Sequence, residues 1–187
     1  MKKLFILSIC LLLTSCFEIT EKIKHNSNQT GDYSLVIDFS NSWLKTKSAI
    51  LLEEVDGVSI PNEEDIKSKL AQFRADASKI KGTSKISTSY DFNTYVFKIN
   101  FSYNSIETLN AVLNTIDKKN TLVHFKNNNG RFERIASYPL PKDLAKKEDK
   151  KEDLLEANIT AVYTFDKDVA TVQNPNSKLS KSKKTVF

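Results

Sequence analysis

Apolar and polar residues alternate along several stretches of the chain, and this alternation predicts β-strands with one buried side. The first alternation covers residues 17–23, although the charged Glu21 interrupts its apolar side. A turn-forming stretch at 25–31 separates it from a second alternation at 33–39. Two alternating runs joined by a glycine-containing loop predict a β-hairpin.

The same pattern predicts further strands later in the chain. A second hairpin is expected from 86–90 to 95–103, and its second strand is rich in aromatic residues. A third hairpin is expected within 122–138, because the Asn-Gly pair at 129–130 is a strong turn signal. Residues 159–165 alternate again and predict one more strand.

Spacings of three and four residues predict helices between these hairpins. The first is expected at about 41–55, with an apolar set of Trp43, Leu44, Ile50, Leu51 and Val55. The second starts at Asn62, where a capping side chain precedes three acidic residues that suit the positive end of a helix dipole. The third is expected at 104–116, with Asn104 and Glu107 as a capping box.

The order of these elements is hairpin, helices, hairpin, helix and then further strands. Amphipathic helices that follow antiparallel hairpins bury their apolar sides against the hairpins. The sequence therefore predicts an α+β fold with the helices packed on one face of the strands.

The first sixteen residues form a pattern of a different kind, MKKLFILSICLLLTSC. Two lysines precede an apolar run at 4–13, which is shorter than the roughly 20 residues that span a bilayer. A positively charged start, a short apolar run and small residues before the cleavage site are typical of a secretory signal peptide. The ending Leu13-Thr14-Ser15-Cys16 resembles the lipobox of bacterial lipoproteins. The resemblance implies cleavage before Cys16, a diacylglycerol on its sulfur and usually an acyl group such as palmitate on the new N-terminus.

Removal of residues 1–15 as a signal peptide leaves 172 residues, enough for a domain with a real core. The expected division is an α+β domain at 16–138, a charged helix or linker at 139–156 and C-terminal strands at 157–187. A strand pattern begins at the last three residues. It fits either a truncated chain or a short edge strand at a true terminus, and both alternatives stay open.

Charge and cysteine content narrow the classes of function. Loss of Lys2 and Lys3 lowers the net charge from +5 to +3, a small excess that gives little support to nucleic-acid binding. Cys10 leaves with the signal peptide and Cys16 would carry lipid, so the mature chain keeps no thiol for a disulfide, metal site or nucleophile. An exported domain without disulfides depends on its core for stability.

Motifs for catalysis and for cofactor binding are missing from the sequence. Its two histidines, His25 and His124, are far apart and lack the paired spacing of metal ligands. Its four glycines form neither a Gly-x-Ser-x-Gly elbow nor a phosphate-binding loop. Folding can bring two distant carboxylates together as the catalytic pair of a hydrolase, and this alternative stays open. We therefore expect no enzyme, no cofactor and no metal, with an envelope hydrolase as the less favoured alternative.

Four aromatic residues of the second hairpin are candidates for contact with a ligand: Tyr95, Phe97, Phe101 and Tyr103. Aromatic side chains line clefts for lipids and sugars, but a stripe of this kind is more often core. A lipid or small-ligand carrier or sensor predicts a cavity along the stripe, whereas a core predicts close packing under the helices.

The order of elements resembles that of uncharacterised bacterial lipoproteins of the LppM type. The similarity rests on Cys16 and on residues 17–24, 31–39, 101–110, 163–166 and 183–187. It implies an envelope-facing α+β domain that can contact lipid, and it implies no reaction.

Together these patterns predict a lipid-anchored envelope protein with a non-catalytic binding, assembly or structural role. Its expected partners are the membrane and an envelope protein, and nucleic acid is not expected. The residues after Cys16 lack the acidic cluster that directs some lipoproteins to the cell surface, which favours the periplasmic face.

Overall fold

The computed structural model describes residues 17–55, 58–116, 121–136 and 158–187. The predicted signal peptide, Cys16 and the charged stretch at 139–156 therefore lie outside the described residues.

Strands account for most of the described regular structure. They are β1 (Glu18–His25), β2 (Gly31–Asp38), β3 (Glu54–Val55), β4 (Val58–Ser59), β5 (Thr83–Asp91), β6 (Val96–Tyr103), β7 (Phe125–Asn128), β8 (Arg131–Arg134), β9 (Asn158–Phe165) and β10 (Thr185–Val186). Six of them form one sheet in the order β10-β9-β1-β2-β6-β5, while β3–β4 and β7–β8 are separate two-stranded ribbons. Neighbours in the large sheet are antiparallel except β1 and β9, which run parallel.

The described helices are α1 (Trp43–Leu52), α2 (Glu63–Ser78) and α3 (Ile106–Leu113), and a 3₁₀ turn at Ser40–Ser42 leads into α1. The prediction of a cap at Asn62 is confirmed, because its side chain accepts the Asp65 N–H while the Asp65 carboxylate accepts the Asn62 N–H. This reciprocal pair is a full capping box.

The predicted cap of α3 at Asn104 is wrong by one residue. Ser105 is the N-cap, and its hydroxyl accepts the backbone N–H of Thr108 at 3.1 Å. The Asn104 side chain accepts the Thr108 hydroxyl instead, at 2.8 Å. Two polar side chains therefore compete for the start of this helix, and the sequence pattern does not separate them.

One face of the large sheet is covered by α2, α3 and the β7–β8 ribbon. The buried cluster between these layers comprises Ile23, Tyr33, Phe73, Ala77, Phe101, Tyr103, Ile106, Leu109, Val112, Leu113 and Phe125. The α+β fold predicted from the sequence is therefore confirmed. The C-terminal strands β9 and β10 belong to the same sheet as β1 and β2. Among the described residues, no helix is long and apolar enough to cross a membrane.

Candidate functional site

A buried carboxylate lies in the middle of the covered face, where β1 faces the β7–β8 ribbon. Glu21 is completely shielded from solvent. Its two carboxylate oxygens accept hydrogen bonds from the guanidinium of Arg134, from Nε at 3.0 Å and from Nη2 at 3.3 Å. The hydroxyls of Tyr163 and Tyr33 donate to the same carboxylate, at 2.7 and 3.1 Å. We refer to these four residues as the Glu21 cluster.

The chemistry open to the Glu21 cluster is limited by its own contacts. A carboxylate has about four acceptor positions, and here two tyrosines and a forked guanidinium occupy them. A general base needs a free lone pair within reach of a substrate proton. In this arrangement all the acceptor positions of Glu21 are in use, and the carboxylate holds the ribbon on the sheet.

A second buried polar group, His25, lies at the other end of β1. Its Nδ1 is 3.0 Å from the Tyr103 hydroxyl, and its Nε2 is 2.9 Å from the Asn127 side-chain nitrogen. Because the amide nitrogen is a donor, Nε2 is the acceptor and the ring is neutral with its proton on Nδ1. A Cβ at Gly31 would overlap the Tyr103 hydroxyl and the Lys24 carbonyl, so glycine opens the space for this contact.

Burial lowers the pKa of His25 below its ordinary value of 6.5, and the nearby charge of Asp166 raises it in part. The unfolded chain therefore binds a proton at pH values where folded His25 does not. The stabilisation from neutral His25 is complete above about pH 6.5 and is lost as the pH falls through the lowered pKa.

A His25→Gln variant is therefore expected to lose part of the acid sensitivity of the wild-type protein. The measurement is Tm at steps between about pH 7.5 and 5.5, a window in which most carboxylates stay ionised. Wild type and variant with parallel curves would contradict the assignment of His25 as a buried neutral group.

The four aromatic candidates are distributed between the core and the edge of the sheet. Phe101 and Tyr103 belong to the buried cluster, and Phe101 stacks on Tyr33 with a centroid distance of 5.0 Å. Tyr95 is buried in the turn before β6, and Phe97 is half-buried. Two of the four candidates therefore pack in the core, while the ring of Phe97 stays partly exposed.

The uncovered face of the sheet carries a shallow groove of about 370 Å³. Lys22, Lys24 and Lys85 line it together with Asp32, whose carboxylate accepts the Ser102 hydroxyl. The groove is thus weakly positive, although most of its lining surface is apolar. Among the described residues, no group of three or more His, Cys, Asp or Glu side chains is placed to hold a metal ion.

The end of the sheet where β1 begins carries a group of apolar side chains. Phe17 stacks on Phe39 with a centroid distance of 5.1 Å, and Phe39 directly precedes the turn into α1. We call this region the Phe17 end. A row of cross-strand neighbours lies there, and it comprises Ile159, Ile19, Ile37, Phe97 and Tyr90. Its outer members are nearly half exposed, Ile159 at 48% and Tyr90 at 45%.

The helix α1 adds the largest exposed apolar side chains to this end. Trp43 is 48% exposed, and Leu44, Leu51 and Leu52 are 62%, 73% and 67% exposed. Trp43, Leu44 and Leu51 belong to the apolar set that the sequence predicted for this helix, and such a set normally indicates a buried side. Comparison of the chain with protein-family models, with curated proteins and with solved structures finds no match.

Proposed function

We propose that the protein is a bacterial envelope lipoprotein, held at a membrane surface by lipids on Cys16 and facing the periplasm. Its role on that surface is binding, assembly or structural support, without catalysis.

The observation that carries the proposal is the leader, with its two lysines, its short apolar run and its lipobox-like ending at Cys16. The fold fits a short anchor, because β1 begins at Glu18, only two residues beyond Cys16. Two residues of extended chain reach about 7 Å. A lipid on Cys16 would therefore bring the Phe17 end, which is apolar, against the membrane.

Support for a non-catalytic role comes from the two buried polar groups. The carboxylate of Glu21 and both ring nitrogens of His25 are engaged by neighbouring side chains. Both groups are buried, and both fix the β7–β8 ribbon to the sheet.

The first test is the intact mass of the protein extracted from membranes, for the wild type, Cys16→Ala and Cys10→Ala. The wild type and Cys10→Ala are expected to match residues 16–187 plus a diacylglycerol and an acyl group. Cys16→Ala is expected to lose the lipid mass, because its side chain has no sulfur to form the thioether. Cys10→Ala is the matched control, since it removes the other thiol of the leader. An unlipidated mass for all three proteins would overturn the proposal.

A further inference from the structure

The helix α1 presents its apolar side chains outward. Leu44 and Leu51 are seven residues apart, which places them two turns apart on the same side. Trp43 and Leu52 flank that side, and all four residues are exposed. On the opposite side, Thr46, Ala49 and Ile50 are half-buried. Exposed Lys47 and Ser48 share the outer side with these leucines, so that side mixes large apolar residues with two polar ones.

The charges on α1 are of one sign. Lys45 and Lys47 are exposed on the helix, and no acidic residue lies between Trp43 and Leu52. Lysine side chains can lay their methylene stems along apolar surface while the ammonium reaches a polar layer. The outer side of α1 therefore combines large apolar side chains with basic charge.

The helix α1 begins close to Phe17, the first described residue of the chain. Phe17 contacts Phe39, and the residues from Phe39 onward form the turn that leads directly into α1. A lipid attached to Cys16, one residue before Phe17, would thus lie at the same end of the sheet as the exposed leucines. The apolar row that ends in Ile159 and Tyr90 extends this end further.

We propose that α1 lies in the interface of the bilayer that holds the lipid anchor, as a second membrane contact. The inference rests on the proposed function, because it takes the anchor at Cys16 as its starting point. Leu44, Leu51 and Leu52 enter the boundary between headgroups and acyl chains. Trp43 lies at headgroup level, where its amphipathic ring is favoured. Lys47 faces anionic headgroups, which attract basic side chains near a membrane.

A bilayer fits this surface better than other occupants. Two copies of α1 packed on each other would both carry basic charge, because α1 has two lysines and no acidic residue, so this contact would gain no charge pairing. The stretch at 139–156 is dense in mixed charge and has four leucines in eighteen residues, so it offers less continuous apolar surface than a lipid layer does. An anionic lipid surface supplies both an apolar layer and the opposite charge.

Trp43 is the single tryptophan of the sequence, so its fluorescence reports on α1 alone. The experiment places the full-length protein, purified from membranes, in vesicles of phosphatidylcholine and phosphatidylglycerol. The expected result is an emission shift to shorter wavelength and quenching by lipids brominated near the top of the acyl chain. Acrylamide, a quencher dissolved in the water phase, is also added to both samples. It is expected to quench Trp43 less in the wild-type protein in vesicles than in the Cys16→Ala protein in detergent-free buffer.

Two variants test the contact in the Cys16→Ala background, which has no lipid. The first is the double variant Leu44→Ser/Leu51→Ser, and the second is the control Leu179→Ser. The double variant is expected to weaken vesicle binding at least about tenfold, because two exposed leucines no longer leave water. Leu179 is also exposed, but it pairs with Val186 in the C-terminal strands, so Leu179→Ser is expected to bind as its parent does. The leucines of α1 contribute little to the core, and circular dichroism checks that both variants fold.

The outcomes separate the two proposals. A lipidated protein that binds vesicles while Trp43 stays at long wavelength and open to acrylamide would overturn the role of α1 and leave the anchor intact. An unlipidated protein whose Trp43 is quenched by brominated lipid would overturn the anchor and keep α1. Shielding of Trp43 without vesicles, whether by a second copy or by another part of the chain, would also overturn the membrane contact of α1.

Discussion

Replacement of Glu21 by alanine is expected to lower the free energy of unfolding by about 3–5 kcal/mol. Removal of one partner of a buried ion pair leaves the other charge uncompensated, which costs that much in other proteins. Here Arg134 would keep its guanidinium in a site where its side chain is only 19% exposed. The hydroxyls of Tyr33 and Tyr163 would also lose their acceptor. Urea denaturation at neutral pH measures the change.

Glu18→Ala is the matched control, because Glu18 is an exposed glutamate on the same strand. Surface substitutions of this kind usually change stability by no more than about 0.5 kcal/mol. The double variant Glu21→Met/Arg134→Met removes both charges and is expected to cost less than Glu21→Ala, since no unpaired charge remains. Equal stability of Glu18→Ala and Glu21→Ala would show that the Glu21 cluster does not hold the ribbon.

Replacement of Phe101 by alanine is the second large change, with an expected loss of about 3–5 kcal/mol. The ring of Phe101 is 2% exposed and packs between Tyr33 and Phe73, at centroid distances of 5.0 and 6.4 Å. The deletion removes apolar contact area and leaves a cavity that the surrounding sheet can close only in part. A loss of this size approaches the whole stability of a typical domain, so low temperature favours the measurement.

Phe187→Ala is the control for Phe101→Ala, because it removes the same side chain from a position that is 54% exposed. The comparison also tests the carrier alternative. A ring that lined an open ligand cavity would already contact solvent, and its loss would cost little. A similarly small loss of stability in both variants would therefore support the ligand-carrier alternative. A much larger loss in Phe101→Ala would support a packed core.

Local patterns in the sequence were sufficient to predict most of the secondary structure. Alternation predicted β1, β2, β6 and β9, because a strand with one covered face repeats every two residues. The capping residue Asn62 and the acidic residues after it predicted the start of α2, because these signals lie within one helical turn. Buried aromatics such as Phe101 followed from the same alternation.

Contacts between distant residues could not be predicted in this way. Glu21 interrupted the apolar side of β1, and that interruption was its only local signal. Its partners Arg134 and Tyr163 are 113 and 142 residues away, so no sequence signal near Glu21 predicts them. The exposure of α1 was also hidden, because an apolar helix has the same residue spacing whether its outer side meets protein or lipid.

The parallel pairing of β9 with β1 has a kinetic consequence. During synthesis the hairpin of β1 and β2 is complete after Asp38, yet one edge of β1 stays unpaired until Asn158–Phe165 arrives. Pairing between strands so far apart in the chain is slow, because closing the long loop costs entropy before any stabilising contact forms. An open edge exposes unpaired backbone groups that other chains can join. The nascent protein is thus most prone to aggregation in the interval before its C-terminal strands join the sheet.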